Sequence, residues 1–204
     1  MCIRDRVYEH SFIEDLAKHS TVPVINGLSN SYHPCQTLAD FMTIKEHKKK
    51  LKDLKIAWIG DGNNVCNSLI FGCSKTQTAI AIATPKGFEP DSEVVEKSSK
   101  HTSVDLTIDP ESAVKDADIV MTDTFTSIHT SDLKQAEKFL PAFQVNDSLM
   151  EKAKNDAIFM HCLPAKREQE VTSSVIDGPQ SVVWDEAENR LHSQKALLLS
   201  LIGI

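Results

Sequence analysis

Short apolar runs alternate with amphipathic segments along almost the whole chain, and this rhythm is what most limits its fold. Lys55-Ile56-Ala57-Trp58-Ile59-Gly60 reads as a buried strand, followed by the turn Asp61-Gly62-Asn63-Asn64 and a helix through Ile70. Ala79 to Ala83 is the next strand, stopped by Thr84-Pro85-Lys86-Gly87, and Asp91 then caps a helix through Lys100. Val104–Ile108, Ile119–Thr122 and Ala157–Met160 supply further strands. Ser181-Val182-Val183-Trp184 reads as a last strand, before a terminal helix from about Glu188. Strands alternating with helices through short links predict a parallel sheet covered on both faces. Right-handed crossovers then make it a doubly wound α/β domain.

That domain spans about residues 51–185, and the helix over residues 186–204 returns toward whatever precedes it. Residues 1–50 do not complete a domain of their own. They hold the strand Val22–Gly27 and a helix from His33 to about Lys50, with Leu38, Phe41, Met42 and Ile44-Lys45 near a 3.6-residue spacing. They read as the tail of a preceding α/β domain and the helix that bridges to the next. Met1–Arg6 carries no signal-peptide core, and the chain reads as amino-terminally truncated.

Composition excludes several classes of function. The net charge of −7 argues against nucleic acid or an anionic membrane as partner, because both require a basic footprint. Lys48-Lys49-Lys50 is flanked by Glu46 and Asp53 and reads as a solvated helix end. Five scattered cysteines without a Cys-x-x-Cys pair suggest neither disulfides nor structural zinc, and fit a reducing, cytoplasmic setting. The apolar tail Ala196–Ile202 falls short of the roughly 20 residues a bilayer span takes. It reads as part of an amphipathic helix that docks on another element.

Ligands of an open α/β sheet bind beyond the carboxyl ends of its strands. Polar residues bunch there at Asp61-Gly62-Asn63-Asn64, Thr122-Asp123-Thr124 and His161-Cys162-Leu163-Pro164. The first segment half-matches a dinucleotide fingerprint. It lacks the third glycine, and Ala83-Thr84-Pro85 stands where an acidic ribose partner is needed. Asn64 either offers its amide to a polar small molecule or caps its own helix. His33-Pro34-Cys35-Gln36 opens a helix, where a His is a cap, an interior group, or, with Gln36, part of an anion-favouring N-terminus. Asp123 is a turn former or the partner of an ammonium. Cys162 is an inert buried thiol or a reactive one, but His161 is a poor base for it, since adjacent strand residues face opposite ways. Spacing alone leaves a His33–His161–Cys162 metal site open without demanding it.

Together these segments resemble the aspartate/ornithine carbamoyltransferase family, its ornithine branch above all. The matching stretches are Arg6-Val7-Tyr8, Pro23–Ser29, His33-Pro34-Cys35-Gln36 with Leu38-Ala39-Asp40, and Trp58–Asn64. Ala83–Gly87, Asp123–Ser127, Phe159–Pro164 and Glu186–Arg190 follow in order. The resemblance implies a carbamoyl-phosphate-binding domain, of which residues 1–50 are the remnant, followed by an ornithine-binding domain. It implies transfer of the carbamoyl group of carbamoyl phosphate to the δ-amine of L-ornithine, with no metal or organic cofactor. Arg6, His33, Gln36, Leu163 and Arg190 would hold the carbamoyl donor. Asn64, Asp123, Ser127 and the backbone of Ile128 would bind ornithine, and Cys162 would sit beside the reacting amine. The catalytic residues would be Cys162, His33, Arg6 and Asp123, in a homotrimer with shared active sites.

Three departures from the family pattern stand out. The Ser-x-Arg-Thr phosphate loop does not occur in this chain, so carbamoyl phosphate should bind it weakly. Ile128 with His129-Thr130 replaces a usual Met with Gly-Gln, and Ala165-Lys166-Arg167-Glu168 varies a loop that is often His-Arg-Gly. These changes leave two alternatives: a sister transcarbamoylase acting on putrescine, N-acetylornithine or aspartate, or a non-catalytic amino-acid-binding module.

Overall fold

The computed structural model describes residues 2–126 and 135–203, without the side chain of Arg4. Strand β1 (Ile3–Arg6) pairs in parallel with β2 (Val24–Leu28), and helix α1 (His10–His19) connects them. The strand at Ile3–Arg6 is not expected from the sequence. Helix α2 (Pro34–Lys48) leads into the main sheet, built from β3 (Lys55–Ile59), β4 (Ala79–Ala83), β5 (Val104–Thr107), β6 (Ile119–Thr122) and β7 (Ile158–His161). Helices α3 (Asn64–Thr76), α4 (Ser92–Ser99) and α5 (Pro110–Val114) connect the first four. A 3-10 turn (Gln135–Lys138), α6 (Asp147–Met150) and α7 (Ser173–Ile176) flank β7, and α8 (Val183–Ile202) closes the chain.

All five main strands are parallel, in the order β5-β4-β3-β6-β7. The doubly wound expectation is therefore met. The winding reverses between β3 and β6, and a crevice opens past their carboxyl ends at such a switch point. Strand alternation divides the core. Ile56 and Trp58 of β3 join Ile80, Ile82, Ile119, Met121 and Met160 on one face. Ala57 and Ile59 join Ala81, Ala83, Val120 and Phe159 on the other, where Phe125 stacks on Phe139 with centroids 4.6 Å apart. Burial on both faces explains why these strands are continuous apolar runs, not alternating ones.

Two expectations fail. The proposed strand Ser181–Trp184 is a single bridge from Ser181 to Phe159, and the terminal helix begins at Val183, earlier than residue 186 or 188. Asp185 and Glu186 lie in the first turn of α8, where the helix dipole favours acidic groups, and Trp184 is 66% exposed. The apolar composition suggested strand, but the edge of the sheet takes only one residue. The narrow stripe on α2 also fails: Leu38 is exposed, whereas Gln36, Thr37, Asp40 and Thr43 are buried. Helices α3 and α8 and strand β2 all pack against α2, so polar residues are enclosed along with apolar ones.

Candidate functional site

The switch point is shaped first by its turn. Gly60 has φ +133°, a left-handed conformation that favours glycine, and lets the chain leave β3 sharply. Gly62 donates its N–H to Phe88 O at 2.8 Å, and an added Cβ there would lie 2.2 Å from Pro90 N. Asn63 then caps α3, its Oδ1 accepting from the N–H groups of Val65 (2.9 Å) and Cys66 (3.1 Å). The cap is therefore Asn63. Asn64 instead donates its Nδ2 to Ser29 O at 2.7 Å, tying the turn to the end of β2.

Asn63 also reaches across the switch point, donating Nδ2 to Asp123 Oδ2 at 2.8 Å. Asp123 Oδ1 accepts from the N–H of Thr124 at 2.7 Å and from the Cys162 thiol at 3.2 Å. Three neighbouring strands thus deliver Asn63, Asp123 and Cys162 to one place. Burial pushes the Cys162 thiol well above its ordinary range, and the Asp123 and Glu186 carboxylates push it further the same way. Asp61, in the same turn, is raised to about 6 by burial and by Asp123.

His161 bonds within its own turn and to Glu170. Its Nδ1 accepts from the N–H of Leu163 at 2.9 Å, so Nε2 carries the proton and meets Glu170 Oε1 at 3.3 Å. Glu170 Oε1 also accepts from the N–H of Lys166 at 2.5 Å. This fully buried pair holds the Leu163–Lys166 turn, including the cis Leu163–Pro164 bond. His161, Cys162 and Asp123 each place a ligand-type atom within 4.8 Å of the others. Both ring nitrogens of His161 are engaged, by the N–H of Leu163 and by Glu170. His33 is not one of the three.

The seam of α2 and α8 carries a second polar group. Gln36 Nε2 donates to Asp40 Oδ1 at 2.8 Å and to Glu186 Oε1 at 3.1 Å, while its Oε1 accepts from Arg190 Nη1 at 2.5 Å. Glu186 Oε2 accepts from the N–H of His161 at 2.9 Å, which joins the seam to β7. Burial pushes Asp40 up to about 7, and Glu186 well above the usual carboxylate range. Asn189 of α8 adds bonds to Thr43 and Glu46 of α2.

Of the residues singled out by sequence, Asp123 and Cys162 are in direct contact, with Leu163 next in the chain. Gln36 and Arg190 are bonded to one another. His33 is buried at the N-terminus of α2, and its backbone N–H donates to Ser68 Oγ at 2.7 Å. Arg6 is the exposed end of β1 and is not a member of the Gln36–Arg190 network. Ser127 and Ile128 lie outside the described residues. Sequence reasoning gave no role to Asn63, Asp40, Glu186 or Glu170. Asp40 was detectable as a carboxylate one helical turn after Gln36, and Glu186 as an acid at a helix start. The Gln36–Glu186 bond that joins them spans 150 residues of chain.

The chain is similar to known proteins. A family model described as aspartate/ornithine carbamoyltransferase, Asp/Orn binding domain, matches residues 52–201. A second, the carbamoyl-P binding domain of the same family, matches residues 1–46. The ornithine carbamoyltransferase of Cenarchaeum symbiosum is 62% identical over 96% of this chain and 65% of its own length. That of Pyrococcus horikoshii is 51% identical over 98% of this chain and 65% of its own length. The solved structure of ornithine carbamoyltransferase from Pyrococcus furiosus superposes with a TM-score of 0.94 at 50% identity, covering 99% of this chain and 66% of the other. That from Thermus thermophilus gives 0.90 at 42%, covering 98% and 66%. The chain thus spans about 65% of the length of the curated relatives it matches. Two domain matches in the family's order, on a sheet whose switch point carries these polar groups, make this chain a member of the aspartate/ornithine carbamoyltransferase family.

Proposed function

We propose that this chain is the ornithine-binding part of an ornithine carbamoyltransferase, a transferase that makes L-citrulline and phosphate from carbamoyl phosphate and L-ornithine. The observation that carries this reading is the Asp123–Cys162 contact at the switch point, on a chain of this family. In the same reading residues 1–50 end the carbamoyl-phosphate-binding domain and residues 51–185 form the ornithine-binding domain. Residues 186–204 pack back onto the bridging helix. A homotrimer in the cytoplasm, serving arginine biosynthesis, belongs to the proposal. Among the described residues no helix is long and apolar enough to cross a membrane.

An alkyl ammonium has a pKa near 10.4, so the δ-amine must lose a proton before it can attack. Asp123 attracts the ammonium, and Cys162 with Asp123 positions it and takes part in moving that proton. The amine lone pair then forms a C–N bond to the carbonyl carbon, giving a tetrahedral oxyanion that Arg6 and His33 stabilise as donors. The bond between the carbon and the bridging phosphate oxygen breaks next, phosphate leaves with the electron pair, and the nitrogen passes its second proton to the departing phosphate. Gln36, Leu163 and Arg190 hold the carbamoyl group. Asn64, Ser127 and the Ile128 backbone hold the amino-acid end of ornithine, and Asn64 must loosen its bond to Ser29 O to do so with its amide nitrogen.

The test is a substrate panel on the gene product that carries this chain, with carbamoyl phosphate and ornithine, putrescine, N-acetylornithine or aspartate. Citrulline from ornithine alone is the expected product. Carbamoylputrescine or another carbamoyl amine without citrulline would overturn the reading, and ornithine binding without any turnover would reduce the chain to a binding module.

A further inference from the structure

Two carboxyl groups are buried side by side where α8 crosses α2. Asp40 and Glu186 are 0% and 1% exposed, and both accept from the same nitrogen, Gln36 Nε2. The second oxygen of Glu186 is satisfied by the N–H of His161. The second oxygen of Asp40 is buried, and among the described residues no nitrogen or hydroxyl donor reaches it. The Asp40 and Glu186 carboxyls thus flank one amide nitrogen, at 2.8 and 3.1 Å. A carboxylate oxygen facing a second carboxyl finds a donor only if one of the two carries a proton.

Charge leads to the same answer. The cation bonded to this network is Arg190, through Gln36 Oε1. Two bare carboxylates against one guanidinium would leave a buried, uncompensated negative charge, and one retained proton makes the network neutral. Among the described residues, Asp123 beyond β6 and the Cys162 thiol beyond β7 also face the pair, with Cys73 of α3 on the Asp40 side. None of them supplies positive charge. The ring of His161 is turned away to Glu170, so only its backbone meets Glu186.

We propose that Asp40 and Glu186 are a positioning pair that shares one proton at neutral pH and, through Gln36, fixes the Arg190 guanidinium toward the carbamoyl donor. Both N–H groups of the Gln36 amide are directed at the pair, which fixes the amide plane and presents Oε1 to Arg190. Oε1 keeps a second lone pair for the ligand. Loss of the shared proton would turn two negative charges on one amide and release this anchor. The direction toward the donor rests on the carbamoyltransferase reading, whereas the shared proton does not.

The proton is read by infrared difference spectroscopy on this chain at neutral pH. A protonated-carboxyl C=O stretch is expected in the wild type and is expected to vanish in both Glu186→Gln and Asp40→Asn. Its absence from the wild type, or its persistence in both variants, overturns the proposal. Positioning is read from the exchange of the Arg190 guanidinium protons by NMR. Glu186→Ala should speed it about tenfold or more, as loss of hydrogen bonds around a charged group implies. Glu186→Gln, whose amide supplies a donor in place of the shared proton, should restore most of the protection. If Glu186→Ala does not fold, equal protection in the wild type and Glu186→Gln supports the pair, and full loss in Glu186→Gln refutes it. A chain that shows the band but belongs to a gene product forming no citrulline keeps the shared proton and loses only the transferase reading.

Discussion

The thiol of Cys162 donates to Asp123 Oδ1 across 3.2 Å, joining the ends of β7 and β6 at the point where the sheet reverses its winding. The carboxylate that orients this thiol also holds it in the protonated form. Asp123→Asn removes that negative charge, so the thiol pKa should fall and iodoacetamide should label Cys162 about tenfold faster, the equivalent of one pKa unit. Peptide mapping separates Cys162 from the other four cysteines. Unchanged or slower labelling would mean that burial alone sets the thiol. In the gene product, Cys162→Ala should lower turnover by about 10²-fold or more if the thiol helps move the proton.

Asn63 serves two structures at once, the N-terminus of α3 and the carboxylate of Asp123. Asn63→Ala should cost about 1 kcal/mol from the lost cap, measured by urea denaturation. It should also weaken ornithine binding, because Asp123 loses the donor on its Oδ2. Asn64→Ala breaks only the tie to Ser29 O and should leave the cap contribution intact.

Gly72 sits on α3 where α2 approaches, and a Cβ there would lie 2.3 Å from Phe41 Cε2 and 2.7 Å from Thr37 Cγ2. Gly72→Ala gains helix propensity but overpacks the contact. The net expectation is a loss of about 1–3 kcal/mol, read as a lower denaturation midpoint. A gain in stability would show that the helices separate easily here.

Stability should depend on pH with an inverted sign for the buried acids. Asp40, Glu186 and Asp61 hold their protons in the folded chain to higher pH than their ordinary 3.8, 4.5 and 3.8. The folded state therefore binds more protons than the unfolded chain above those values. Stability from these groups is complete below them and is lost as pH rises through about 6 to 7 and beyond. Asp156 and Asp177 are shifted down by Lys48 and Arg167 and act oppositely, but they are exposed and screened. Calorimetry should find a higher melting temperature at about pH 5 than at about pH 8, with a smaller difference in Glu186→Gln. An equal pH dependence in the variant would contradict the assignment.

Strands β3, β4, β6 and β7 were legible because each is buried on both faces and is therefore a short apolar run between turn residues. The ends of α4 were legible for the same local reason: Asp91 accepts from the N–H groups of Glu93 and Val94, and the chain itself carries that cap. Ser181–Trp184 misled because composition does not reveal whether a neighbouring strand is there to pair with. Only Phe159 is, and the chain turns into α8 at once.

By itself the sequence determined a doubly wound α/β domain, the ligand end of its sheet, and the motif residues Asp123, Cys162, Gln36 and Arg190. The fold and the ligand end depend on local pattern and on the general rule for where such sheets bind, and Arg190 came from the family resemblance. The tertiary structure decided which of them touch. It put the helix cap on Asn63, tied Asn64 to Ser29, turned the His161 ring to Glu170, and set Glu186 of α8 against Asp40 of α2. Apart from the local Asn63 cap, each of these pairings joins groups from different segments. Their energies come from burial and from charges brought together, and neither exists until the chain has folded.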